Sequence, residues 1–263
     1  MGRAMRCSAG APPDGSFAQG RVKDAGAVGH AIQQLLARAE ITSTRPLVAV
    51  SDSIATFRVL SFSAGTSDQE IGAKVARELA LDPERIATRW VEVNREDGRL
   101  IYAAAWDRAT VRDVTEALKA ANLEPEAMEL KSAAVARTVV EHSCVVLDLV
   151  GQPAEVVLVD GGVPQQWHAF QLASTESDVL PQALAGPIRS VIRFHQRNHG
   201  RSFGPNSPVL ISTEQALPSH ILLGLQDMLE RPVRVLGAPT RVPPNVRHAT
   251  YLTCLGLIMR RES

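Results

Sequence analysis

The chain has 263 residues, of which 45% are hydrophobic and 21% charged, and its 28 basic residues balance its 28 acidic ones. This length suits one large domain or two modest ones, and the zero net charge excludes the basic footprint of a nucleic-acid-binding protein. No apolar run approaches the roughly 18 residues typical of a spanning helix, so direct membrane insertion is not expected. The three cysteines lie far apart and outside metal-ligand spacings, which favours a reducing cytoplasm and no metal site.

The first half of the chain alternates helical and extended patterns. A Gly- and Pro-rich loop precedes apolar residues at helical spacing, and segment 55–62 alternates as a half-buried strand does. Ser67 and Glu70 form a capping-box pattern, which predicts the start of a second helix. The predicted elements are a loop at 10–20, a helix at 27–39, strands at 46–50 and 55–62, a helix at 67–80, strands at 86–93 and 100–106 joined by an Asp97-Gly98 turn, a helix at 109–121 and a strand at 126–130.

The second half contains two consecutive apolar runs separated by a loop that carries Asp148 and Gly151. Such a strand-loop-strand suits phosphate binding, because a carboxylate acts through magnesium and glycine lets the backbone approach closely. The order of elements predicts a mixed sheet with helices on its faces. These elements are a helix at 132–141, strands at 145–150, 155–160 and 163–172, a helix at 179–198, a strand at 209–212, a helix at 217–229, a strand at 233–236 and a helix at 248–259.

Several short segments occur in the same order as in one known family. They are GRVKD at 20–24, LEP at 123–125, LDLVG at 147–151, VLIS at 209–212, RPVRVL at 231–236 and the closing helix at 249–259. In this order they resemble the PilM family, actin-like cytoplasmic proteins of bacterial type IV pilus assembly that are related to FtsA. The resemblance implies an α/β, actin-like (ribonuclease H-like) two-domain fold with an inserted SHS2-type subdomain, 1C, and a reduced subdomain 2B.

The resemblance also implies where the subdomains lie. Residues 1–57 correspond to a remnant of subdomain 1A, 58–127 to the SHS2-type 1C subdomain, 128–142 to the return into 1A, and 143–263 to subdomain 2A with a reduced 2B. The pattern of residues 58–127 by itself predicts a compact strand-helix-strand-strand-helix unit.

A nucleotide site is the second implication of the resemblance, and its residues here would be Asp148, Gly151, Ser212 and Thr213. The family's first phosphate loop has no counterpart, since this chain starts after it. Pro153 removes a backbone donor from the second loop, and Glu214 follows the adenosine strand where the family has glycines. Nucleotide affinity there depends on several backbone donors together with the ion. We therefore expect no tight binding of Mg-ATP as a cofactor and no hydrolysis.

The third implication concerns a protein partner. PilM proteins accept the N-terminal cytoplasmic peptide of PilN, a bitopic inner-membrane protein, in a groove between subdomains 1A and 1C. A peptide docks by adding to a strand edge or by placing side chains in an apolar groove. The candidate groove positions are Val48, Val50, Phe57, Val59, Leu60 and Phe62. Strand side chains alternate, so half of these positions are expected to be core.

This interpretation predicts a cytoplasmic scaffold, held peripherally at the inner membrane through a PilN-like partner, with the pilus motor ATPase as a second candidate partner. The alternative is an active actin-like ATPase or polymer-forming protein whose first phosphate loop lies upstream of a misassigned start. A sugar-kinase-like enzyme of the same superfamily is a further alternative.

The predicted helix at 179–198 and the residues directly after it carry two further patterns. His195 and His199 are four residues apart, a spacing that can bind zinc, but no Glu or Cys completes a site and a solvated basic face is expected. The same helical stretch presents arginines that are expected to be solvated or to meet an acidic partner or lipid head groups, namely Arg189, Arg193, Arg197 and Arg201.

Overall fold

A computed structural model describes residues 7–18, 20–79, 82–93, 98–172, 179–199, 203–239, 242–243 and 246–260. Asp97 of the predicted turn and Arg201 lie outside these ranges. The chain divides into two units, Met1–Lys131 and Ser132–Ser263. None of the helices in the described ranges is both long enough and apolar enough to cross a membrane.

The first unit contains three small sheets. A hairpin of β1 and β2 is antiparallel, β3 and β7 form a parallel pair, and a three-stranded antiparallel sheet has the order β4-β6-β5. The elements are β1 (Phe17–Ala18), β2 (Arg21–Val22), α1 (Ala25–Arg38), β3 (Leu47–Val50), a 3₁₀ turn (Asp52–Ile54), β4 (Ala55–Phe62), α2 (Asp68–Leu79), β5 (Ile86–Val93), β6 (Arg99–Asp107), α3 (Arg108–Ala120) and β7 (Ala127–Leu130).

Helix α2 covers one face of the three-stranded sheet. It starts at the predicted capping box, in which the Ser67 N–H donates to Glu70 Oε2 at 2.9 Å and the Glu70 N–H donates to Ser67 Oγ at 3.3 Å. Its apolar stripe packs on Ile101 and Ala103 of β6, both fully buried. The capping pattern and the alternation of β4 therefore predicted this layer correctly.

Helix α3 packs on α1 rather than on the three-stranded sheet. Ala117 clusters with Val22 and Val28, and Leu118 clusters with Leu123 beside the β3–β7 pair. Helix α3, the last helix of the predicted 58–127 unit, thus has its buried face covered partly by α1, which lies outside that range. Its apolar spacing predicted a buried face, but that spacing is the same whichever layer covers it.

The second unit is built on a five-stranded mixed sheet of order β10-β9-β8-β11-β12. Strands β8, β9 and β10 are antiparallel, whereas β11 runs parallel to both β8 and β12. The elements are α4 (Lys131–Ala136), β8 (Ser143–Asp148), β9 (Ala154–Asp160), β10 (Val163–Phe170), α5 (Leu180–His199), β11 (Val209–Ser212), α6 (Ser219–Leu229), β12 (Val233–Val235) and α7 (Leu252–Met259).

Both faces of this sheet are buried, as the mixed-sheet prediction required. Helices α5 and α6 pack on the face that carries Val145 and Leu147, and α4 and α7 lie on the face that carries Val146. Helix α4 ends at Ala136, five residues before its predicted end, and the Thr138 hydroxyl donates to the Val135 carbonyl just beyond it. This local side-chain bond competes with continued helix.

Candidate functional site

Asp148 and Ser212 lie side by side at the carboxyl ends of two parallel strands. Asp148 ends β8, Ser212 ends β11, and the two are direct partners in the register. The Leu149 N–H donates to the Ser212 carbonyl at 2.9 Å, so the pairing extends one residue beyond the strands. Ligands of open α/β sheets bind outside the carboxyl ends of the strands, so these two residues occupy a ligand-binding position in the fold.

The loop after β8 has the conformation expected of an acidic residue followed by glycine. Asp148 is 6% exposed, and one of its carboxylate oxygens accepts the Val150 N–H at 3.1 Å. Gly151 has φ +92°, which side-chain-bearing residues rarely adopt, and no described atom lies within 4 Å of a Cβ built there. The glycine is therefore required by the backbone turn, while the space beside it is open.

Few backbone donors of this loop are available to a phosphate. The N–H groups of Leu149 and Val150 already donate within the protein, and Pro153 has none. Three of the five loop residues at 149–153 therefore offer no donor. A phosphate loop works through converging backbone N–H groups, so this loop is a poor cradle for an anion.

Ser212 differs from its neighbours because its hydroxyl is buried without a hydrogen-bond partner among the described residues. It is 2% exposed, and its Oγ is inaccessible to solvent. A buried hydroxyl without a partner costs roughly 1–3 kcal/mol, so this group is unfavourable in the unliganded fold. Thr213 is satisfied locally, since its Oγ1 lies 3.2 Å from both the carbonyl and the N–H of Gln215.

The carboxylate of Glu214 is also engaged within the protein. It accepts a hydrogen bond from the Thr250 hydroxyl and lies 4.0 Å from an Arg247 nitrogen. Of the four sequence-derived cofactor residues, Asp148, Gly151 and Ser212 are thus brought together at one edge of the sheet, and Thr213 closes a turn beside them. Asp148 and Ser212 would be the residues that hold magnesium, for which oxygen ligands are preferred.

His195 lies in the core, and the expectation of a solvated position was wrong. It is 2% exposed, and its Nε2 lies 3.4 Å from Asp160 Oδ2. The Ser143 hydroxyl donates to the other oxygen of Asp160 at 2.6 Å. The hydrogen bond from His195, together with that from Ser143, holds the pKa of the Asp160 carboxyl below its usual range despite partial burial.

This cluster does not have the geometry of a nucleophilic site. Ser143 and His195 bind opposite oxygens of Asp160, so the serine hydroxyl faces a carboxylate rather than the imidazole that would act as its base. Within the described ranges no group of three or more His, Cys, Asp or Glu could hold a metal ion, and the His199 side chain lies outside the description. Buried Leu184, Ile188 and Val191 precede His195 at helical spacing, which is a periodic signal for its burial.

The six candidate groove positions separate into two groups. Val48, Leu60 and Phe62 are partly buried and pack against core clusters, the last two on the α2 side of the three-stranded sheet. Val50, Phe57 and Val59 are half-buried and lie in neither cluster. Because strand side chains alternate, Phe57 and Val59 lie on the face of the three-stranded sheet opposite α2.

On this face an apolar row crosses all three strands. Val59 is paired with Tyr102, which is paired with Val91, a residue that is 57% exposed. The rings of Phe57 and Tyr102 are in contact, with centroids 5.5 Å apart. We call Phe57, Val59, Tyr102 and Val91 the outer apolar row. Sequence reasoning missed Tyr102 and Val91, although strands β5 and β6 were both predicted and the alternation along them was readable.

Comparisons with known proteins agree with this architecture at the level of structure only. No protein-family model matches the chain, and no curated protein sequence does. A solved structure, the PilM–PilN type IV pilus biogenesis complex, is similar with a TM-score of 0.69 and 17% identity, covering 94% of this chain and 88% of that one. The chain has the actin-like fold of PilM. The predicted fold class is thereby confirmed.

A second solved structure extends the comparison beyond PilM. The cytoplasmic domain of EpsL, an inner-membrane component of the type II secretion system of Vibrio cholerae, is similar with a TM-score of 0.50 and 15% identity. The similarity covers 92% of this chain and 84% of that one. At these identities, the likeness to PilM and EpsL is a likeness of fold.

Proposed function

We propose that the protein is a PilM-like scaffold of type IV pilus assembly or of a related secretion or DNA-uptake machine. It binds the cytoplasmic N-terminal tail of a PilN-like inner-membrane protein and is thereby held at the cytoplasmic side of that membrane. The single observation that carries this proposal is the fold shared with PilM over 94% of the chain, in a structure described as a PilM–PilN complex. The pilus motor ATPase is a second partner in the proposal.

The outer apolar row is the surface that we assign to the partner tail. It lies on the face of the sheet opposite α2, and β4 is an edge strand of that sheet. An extended peptide could add to the β4 edge and place apolar side chains against Phe57 and Val59. Arg89 lies on the same face, two residues along β5 from Val91, and is exposed. It would provide a cationic rim for an acidic or polar residue of the tail.

A peptide-binding experiment tests the proposal. The peptide is synthetic, carries fluorescein, and has the sequence of the cytoplasmic tail of the PilN-like protein from the same organism. Fluorescence anisotropy should show saturable binding that a scrambled peptide lacks, and Val59→Ser should weaken it at least about tenfold by removing an apolar contact. Val140→Ser is the matched control, because Val140 is a 90% exposed valine of the second unit. Equal binding of the native and scrambled peptides would refute the assignment.

We propose further that the scaffold works without ATP hydrolysis. In support, three of the five residues of the loop after β8 have no donor for a phosphate, and Glu214, two residues after Ser212, carries a carboxylate where glycines were expected. Hydrolysis requires a positioned water and a base in addition to phosphate contacts. Purified protein should therefore release no phosphate from Mg-ATP above the rate of a matched Asp148→Asn variant.

Nucleotide binding without turnover is the second candidate function, and the buried hydroxyl of Ser212 beside Asp148 is the observation that favours it. When bound, magnesium would supply a cation for the phosphates, with Asp148 and Ser212 as its protein ligands. Thermal unfolding with and without Mg-ATP distinguishes the candidates, since a ligand at 100 times its Kd adds about 2.7 kcal/mol to stability. An upward shift that Asp148→Asn abolishes would establish the site, and no shift at millimolar Mg-ATP would exclude it.

A further inference from the structure

The outer face of the C-terminal half of α5 is basic. Arg189, Arg193 and Arg197 follow one another at intervals of four residues and are all exposed. The helix contains no aspartate or glutamate, so no carboxylate on α5 offsets these charges. Like charges four residues apart on a helix repel one another, so the helix bears an electrostatic cost that an anionic ligand would relieve.

Two of these arginines border a concave pocket. Ser190, Arg193, Phe194 and Arg197 line it, and its volume is about 320 Å³. Phe194 is 49% exposed, which leaves much of its aromatic ring in water within the same pocket as the two arginines. The volume is at the low end of the range of small-ligand sites, about 300–1,000 Å³, and is suited to one or two side chains.

The charges of the pocket are not balanced by the described part of the protein. Arg189 donates to the carbonyl of Met228, at the end of α6, and is therefore held in place. Arg193 and Arg197 form no ion pair with any carboxylate in the described ranges. Guanidinium groups bind carboxylates through paired N–H donors, so two of them beside an aromatic ring match a carboxylate-rich chain with an apolar side chain.

We infer that this face of α5 binds an acidic segment of a partner protein. Carboxylates of the segment pair with Arg193 and Arg197, and an apolar side chain enters the pocket against Phe194. The concave pocket favours an inserted side chain over a bilayer, which would meet the face as a broad surface. The surface belongs to the second unit, so the inference is independent of the tail-binding row proposed on the first.

A peptide with an apolar pair between two acidic runs provides the test. Fluorescein-labelled EEDLFEEDE should bind the full chain in fluorescence anisotropy, and the same peptide with every acidic residue amidated (QQNLFQQNQ) should not. The variant Arg193→Gln/Arg197→Gln should lower the affinity at least about tenfold, and Phe194→Ala should lower it severalfold. Affinity of the unaltered protein should also fall with added salt, because exposed charges are screened.

The matched control is Arg77→Gln/Arg112→Gln, which removes two exposed arginines from helices of the first unit. This control should bind the acidic peptide with unchanged affinity, and circular dichroism should show that both double variants stay folded. Equal losses in the two double variants would overturn the inference, because they would indicate non-specific charge attraction. The protein is also tested with vesicles of one part phosphatidylglycerol to two parts phosphatidylcholine. If the protein binds these vesicles, loses that binding when Arg193 and Arg197 are replaced, and does not bind the peptide, the inference is overturned in favour of a membrane surface.

Discussion

Ser212 stands directly opposite Asp148 in the parallel pairing of β11 with β8, and its buried hydroxyl has no partner among the described residues. The backbone between them is paired, since the Leu149 N–H donates to the Ser212 carbonyl at 2.9 Å. The unsatisfied group is therefore the side chain alone. Its position at the carboxyl end of the sheet makes it a sensitive reporter of whether this edge still holds a ligand.

Replacement of Ser212 by alanine should leave the unliganded protein equally stable or make it more stable by up to about 1 kcal/mol. The reason is that a buried hydroxyl without a hydrogen bond is unfavourable, and alanine removes it. Urea unfolding measures the change. Ser143→Ala is the matched control, expected to cost about 1–2 kcal/mol because that hydroxyl donates to Asp160 at 2.6 Å. Destabilisation by Ser212→Ala of the same size would show that its hydroxyl is satisfied.

Gly29→Ala should destabilise the first unit. A Cβ built at Gly29 would lie 2.6 Å from the Ala120 Cβ and 2.7 Å from the Ala117 carbonyl oxygen, so α1 and α3 would have to separate. Overpacking costs about 1–3 kcal/mol, which exceeds the gain of about 1 kcal/mol in helix propensity. Gly72→Ala in α2, with no close neighbour other than Trp90 at 4.0 Å, should be neutral or stabilising in the same urea titration. A stabilising Gly29→Ala would contradict the close crossing.

Acid should weaken the second unit partly through Asp160. Its hydrogen bonds from His195 and Ser143 hold the pKa of the folded carboxyl below that of the unfolded chain, about 3.9. The ionised form therefore favours folding above pH 4, and this contribution is lost as the pH falls through the folded pKa. Asp160→Asn should therefore lose less stability between pH 5 and pH 3 than the unaltered protein. The midpoint of urea unfolding at each pH measures the loss. Asp227→Asn, on the exposed face of α6, is the control and should lose as much stability as the unaltered protein.

Cys144 should resist alkylation in the folded protein. Burial in the β8 core raises the pKa of its thiol to about 12, and thiols react as thiolates. Cys7 and Cys254 are exposed, so iodoacetamide at pH 8 should modify these two in native protein and all three in urea. Mass spectrometry of tryptic peptides counts the modified sites. Modification of Cys144 at the rate of Cys254 without urea would indicate that the sheet opens.

Much of the local structure is readable from the sequence. The capping pattern at Ser67 and Glu70 and the alternation of 55–62 predicted α2 and β4, because both signals act over a few neighbouring residues. The apolar runs around Asp148 predicted the strands and the glycine turn of the candidate ligand edge for the same reason. The order of these segments also resembled PilM, and the fold confirms that resemblance.

Which layer a helix covers and which groups meet across the fold were decided by tertiary structure. The spacing of the apolar stripe of α3 is compatible with packing on the three-stranded sheet or on α1. In the structure the stripe packs on α1, where Gly29 lies close to α3. From the sequence, His195 was expected to lie on a solvated basic helix. The structure brings it into contact with Asp160, 35 residues earlier in the chain. Propensity, capping and alternation are properties of neighbouring residues, whereas the pairing of Ser212 with Asp148 depends on packing between segments distant in the chain.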